Sequence, residues 1–86
     1  MPTISIFFGI SIRMFYDDHA PPHFHAFYGS HAAVVDIATL VVREGTLPRR
    51  ARSLILEWAS LHREELMEDW ILAERHARLK QIAPLE

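Results

Sequence analysis

The sequence contains no cysteine, which excludes disulfide staples, thiolate metal sites and cysteine nucleophiles. Its three glycines, Gly9, Gly29 and Gly45, stand far apart, so no glycine-rich loop can cradle a phosphate. No apolar run approaches the roughly 20 residues needed to span a bilayer. The opening MPTISIFFGISIR lacks a basic leader region and is interrupted by Arg13, so no secretory signal is expected and the cytoplasm is the expected location. A large excess of positive charge is missing too. The net charge of −2 argues against strong non-specific attraction to nucleic acid, although a local basic patch remains compatible with it.

What the chain does have is apolar side chains. Half of its 86 residues are hydrophobic and 23% are charged, too apolar for a disordered chain. The length suits a single domain over residues 1–86, with no second core. A domain this small buries only about 60% of its unfolded surface. So high an apolar content therefore also points to surface covered by a partner, either a second copy in a homodimer or a small protein.

The first half, residues 1–46, reads as strands and turns. From Ile4 to Phe8, Ile4, Ile6 and Phe8 alternate with Ser5 and Phe7. From Ile10 to Tyr16, Ile10, Ile12 and Met14 alternate with Ser11 and Arg13, the period of a half-buried strand. Gly9 between them marks either a bulge in one bent strand or a break between two. Residues 17–22 form a loop stiffened by Pro21 and Pro22. His23–Tyr28 reads as the next strand, ended by Gly29-Ser30. Ala32–Ile37 and Leu40–Arg43 form a hairpin around Ala38-Thr39, and Glu44-Gly45-Thr46 closes the sheet region.

Residues 47–80 read as mainly helical, and 81–86 as a non-helical tail. Pro48 suits a first helical position, where its missing N–H costs nothing. Ala51, Leu54, Ile55 and Trp58 recur at helical spacing, and Leu66, Trp70, Ala73 and Ala77 make a second stripe. A break near residues 60–62 divides them into two helices, which cover a small sheet better than one rod. The expected architecture is α+β: a small antiparallel sheet packed against two C-terminal helices. Its expected core is Ile10, Ile12, Met14, Val35, Leu54, Trp58, Leu66 and Trp70.

The unusual chemistry lies in the histidines, four of which fall between His19 and His31. His23 and His25, at i and i+2 on a strand, point to one face. His19 precedes them across the Pro-Pro bend, flanked by Asp17 and Asp18. Two imidazoles, a third nearby and two carboxylates suit Zn²⁺, Ni²⁺ or Fe²⁺, with zinc or nickel as the candidate cofactor. A catalytic centre needs three such ligands and an open position. The same histidines also suit a purely structural role, hydrogen-bonding backbone in a tight loop. A third use is acid–base chemistry by His23 or His25, oriented by Asp17 or Asp18, as in a ribonuclease-like enzyme. No serine has the context of a nucleophile elbow, which argues against a complete catalytic set.

Arg49, Arg50 and Arg52 crowd the start of the first helix, the end that disfavours cations. They are candidates for contact with nucleic acid or an acidic partner. A solvated face accounts for them more readily, since residues 47–86 carry seven basic and seven acidic side chains. Trp58 and Trp70 lie on apolar stripes and read as core. His62 falls at the expected helix junction.

Several longer stretches resemble a family of small bacterial proteins known only as a domain of unknown function, DUF family 4160. They are MPTIS, FFGI and IRMFY, then DHAPPHFHAFYG, LPRRA, WASLHREELMEDW and the closing I-A-P-L. The resemblance covers nearly the whole chain and departs from the family at Leu40, where members often carry glycine in a DIxTG hairpin. It implies no catalytic residue, because the family has no established activity. By association with neighbouring small genes, it implies a protein–protein or nucleic-acid role resembling one half of a toxin–antitoxin pair.

Overall fold

The alternating first half folds into a five-stranded antiparallel meander, and the apolar stripes of the second half become two helices. In the computed structural model, which describes residues 2–86, the elements are β1 (Thr3–Phe7), β2 (Ile10–Arg13), β3 (His23–Tyr28), β4 (His31–Asp36), β5 (Val42–Gly45), α1 (Arg49–Leu61) and α2 (Arg63–Glu74). The strands lie in sequence order, β1-β2-β3-β4-β5. Among the described residues no helix is long and apolar enough to cross a membrane.

Gly9 marks a break between two strands. Phe7 pairs with Ile10 across a two-residue turn in which Phe8 and Gly9 both have positive φ, 48° and 78°. That is the turn whose twist matches an antiparallel pair. The sides of β1 differ from simple alternation. A register shift between Thr3 and Ser5 turns both Ile4 and Ser5 inward and leaves Ile6 and Phe8 exposed. Ile4 therefore shares the buried side with Phe7, not the outer side with Ile6 and Phe8. Such a bulge adds one residue to a strand and changes which face its side chains take. At the β4–β5 turn Leu40 takes φ 57°, a conformation that favours glycine, while its side chain packs against the core. Strand β5 runs through Glu44 and Gly45, past the expected end of the hairpin.

Pro48 caps α1 from just outside the helix, its carbonyl accepting the Arg52 N–H at 2.9 Å. The helices break at His62, which ends α1 and begins α2. Glu64 and Glu65 in the first turn of α2 complement its dipole. α2 ends at Glu74, short of residue 80, so Ala77 of the expected stripe lies outside it. The stop is a Schellman motif: Ala77 N–H bonds Leu72 O and His76 N–H bonds Ala73 O, with His76 at φ 55°.

The core joins Ile4, Phe7, Ile10, Ile12, Phe24, Ala26 and Val35 of the sheet to Ile55, Trp58, Leu66 and Trp70 of the helices. Of the expected core residues only Leu54 stays partly exposed, at the edge of the cluster. Trp58 is fully buried, its ring 5.3 Å from Phe7 and 5.9 Å from Phe24 between centroids. Its Nε1–H donates to Ala83 O at 2.8 Å. That bond belongs to the tail, which runs along the outer edge of β1. Ile82 N–H donates to Ile4 O at 2.8 Å, and Gln81 Nε2 donates to Thr3 O at 2.7 Å. The tail thus covers an edge that would otherwise present unpaired backbone groups.

Asp69 anchors the start of this tail. It is 1% exposed, and its Oδ1 accepts the Lys80 N–H at 2.8 Å while Oδ2 has no partner. Burial pushes the carboxyl above its ordinary value of 3.8, opposed by the hydrogen bond from the Lys80 backbone. A raised folded-state value stabilises the fold below pH 3.8, and that stabilisation is lost as pH rises through the raised value. Asp69→Asn keeps the acceptor for Lys80 and removes the titration. The variant is expected to gain melting temperature relative to the parent as pH rises from 4 to 7. A difference that stays constant with pH would contradict this.

Candidate metal centre

Strand β3 begins directly after the Pro21-Pro22 bend, so His23 is fixed by the loop behind it as well as by pairing with Asp36 in β4. Alternation puts Phe24 and Ala26 in the core and His25 and Phe27 on the opposite face. His23 is 6% exposed, with its ring 5.1 Å from that of Trp70 in α2. His25 is held edge-on by Phe15 at 4.5 Å and flanked by Phe27 at 6.4 Å.

The loop between β2 and β3 returns Asp18 to these rings. Asp18 Oδ2 lies 3.1 Å from His23 Nε2 and 3.0 Å from His25 Nε2, and the three atoms fall within 4.8 Å of one another. Two ligands that each stand about 2.1 Å from one ion are roughly 3 Å apart when they subtend a little more than a right angle. The separations are those of hydrogen bonds, somewhat shorter than the roughly 3.4 Å between tetrahedral ligands at that distance, and near enough for the three atoms to share a cation.

The hydrogen-bond partners of His23 are compatible with such an ion. His23 Nδ1 is 2.8 Å from Pro21 O. A carbonyl only accepts, so Nδ1 carries a hydrogen, and in a neutral ring Nε2 is a lone pair. That lone pair faces the oxygen of Asp18. The contact is favourable only with a proton or a bound cation between them. A ring that donates Nδ1–H to a backbone carbonyl and presents Nε2 inward has the arrangement typical of a metal-ligating histidine.

Of the other candidates, His19 is exposed and its ring is not one of the three converging groups. Asp17 turns outward, with Oδ1 3.2 Å from His76 Nε2, and His76 stacks on Tyr16 at 6.0 Å. Arg49, Arg50 and Arg52 are all exposed, and among the described residues none makes an ion pair. Arg52 borders a separate depression with Leu40, Val42 and Leu47.

The converging atoms open to solvent. A cleft of about 410 Å³ is bordered by Asp18, His19, Ala20, His23, His25, Val34, Arg43 and Glu44, so His19 lies on its wall although its ring does not converge with the other three. Another, of about 460 Å³, lies across Asp18 and His19, against Phe15, Trp70 and His76. Nothing in the residues around Arg43 singles it out. Its relation to the centre depends on an irregularity in strand pairing, which residue type and spacing do not signal.

Sheet, helices and cluster together define a small α+β domain with a candidate two-histidine, one-carboxylate centre at the end of the sheet. The chain belongs to the family described as Domain of unknown function (DUF4160), which it matches over residues 9–71. The match takes in all three converging residues and leaves out β1 and the tail that pairs with it. No curated protein and no solved structure matches the chain.

Proposed function

We propose that this protein is a divalent-metal-binding domain whose ligands are Asp18 Oδ2, His23 Nε2 and His25 Nε2. Convergence of the three donor atoms within 4.8 Å carries this reading. Imidazole and carboxylate donors suit zinc, nickel or ferrous iron. Three protein ligands leave at least one coordination position for water or a ligand, as in catalytic rather than purely structural zinc sites. Thermal unfolding of chelator-treated, tag-free protein tests it. Zinc at about 100 times its dissociation constant is expected to stabilise the fold by about 2.7 kcal/mol. An unchanged melting temperature at millimolar zinc would contradict the proposal.

An interaction role is the second reading, favoured by Ile6 and Phe8, 65% and 60% exposed beside the β1–β2 turn. Exposed apolar surface of this kind suits a second copy or a small protein partner. Light scattering at tens of micromolar protein is expected to give the mass of a dimer, and Ile6→Lys to reduce it to that of a monomer. A strict monomer before substitution would count against self-association.

A further inference from the structure

We propose, resting on the metal site above, that the 410 Å³ cleft binds a small oxyanion with one oxygen on the metal and another on the guanidinium of Arg43. The cleft joins Asp18, His23 and His25 to a single arginine of β5. In β5 Glu44 pairs with Val34, and Val42 pairs with the next residue, Val35, so Arg43 is the extra residue of a bulge. A bulge re-aims a side chain that alternation would send to the other face. Here it lets Arg43 and Glu44, neighbours in sequence, border the same cleft as the metal ligands.

Two further contacts bear on that placement. Asp36 Oδ1 stands 3.4 Å from Arg43 Nε, an ion pair without a hydrogen bond. Gly45, at φ 79°, lies so close to β4 that an added Cβ would be 2.0 Å from Ala32 O. The bulge is therefore seated against a close backbone approach. Arginine matches planar or tetrahedral oxyanions through its fork of donors, and the metal supplies the second positive pole. Glu44 on the rim disfavours a long anionic polymer and leaves a compact carboxylate or phosphate group as the fitting class.

Cobalt(II)-loaded protein provides the test, because the visible spectrum of the ion reports changes in its ligands. Titration with inorganic phosphate and, separately, with acetate is expected to perturb the spectrum for one or both anions, distinguishing the two sources. Arg43→Ala should weaken that anion at least about tenfold, the effect of losing charge-assisted hydrogen bonds, while cobalt affinity stays unchanged. Arg43→Lys keeps a cation beside Asp36 and is expected to fall between them. Spectra that neither anion perturbs, or equal anion affinity in Arg43→Ala and parent, would overturn the oxyanion site while leaving the metal site intact. Failure to bind cobalt would overturn both.

Discussion

Replacing His25 with alanine, or Asp18 with asparagine, is expected to abolish stoichiometric metal binding while the protein stays folded. The loss should exceed the roughly 10–100-fold that removal of an outer-shell partner costs, because His25→Ala removes a donor atom and Asp18→Asn removes the negative charge of another. These two positions separate metal binding from folding better than His23, which is nearly buried and packs on Trp70. His25 and Asp18 keep side-chain exposures of 21% and 27%, so truncation there opens no closed cavity. Calorimetric titration with zinc, with circular dichroism as the folding check, gives the result. Parent-like affinity in either variant would remove that residue from the ligand set.

The largest expected effect on stability is that of Trp58→Ala. Trp58 is fully buried, touches rings from β1 and β3, and holds the tail through Ala83. Emptying such a site costs about 3–5 kcal/mol, a large share of the roughly 5–15 kcal/mol by which a domain is stable. For a chain of this size the loss corresponds to a melting temperature lower by roughly 15–30 °C. Trp58→Phe keeps most of the ring and loses the bond to Ala83, and should cost about 1–2 kcal/mol. Denaturant unfolding of both variants measures this. A loss below about 1 kcal/mol for Trp58→Ala would contradict the central place given to this residue.

The broad architecture is legible in the sequence because hydrophobic period reports it directly. Ile10, Ile12 and Met14 mark a buried strand face, and the stripes through Ile55 and Trp58 and through Leu66 and Trp70 mark two helices that cover it. Features that alternation does not encode stay hidden. The register shift at Ile4 comes from one inserted residue, and periodicity places Ile4 with Ile6 instead. Helix α2 stops at Glu74 because His76 adopts a left-handed conformation, which histidine signals only weakly. The pairing of the tail with β1 is long-range, so nothing local announces it.

The same distinction runs through the site. His23 and His25 share a face by strand geometry alone, and the nearby carboxylates narrow the donors to a few. Choosing Asp18 over Asp17 and His19 depends on the path of the loop through Pro21 and Pro22. That path turns Asp18 toward the imidazoles and Asp17 toward His76. Arg43 enters only through a bulge, and the arginines at the start of α1, conspicuous in the sequence, lie outside the site.

Zinc titration of the chelator-treated protein, followed by the imidazole NMR signals of all six histidines, tests the central claim most directly. The account predicts 1:1 binding in which the Nε2 signals of His23 and His25 shift together while those of His19, His31, His62 and His76 stay in place. Binding that shifts His19 instead, or weak shifts spread over all six rings, would contradict a centre built from Asp18, His23 and His25.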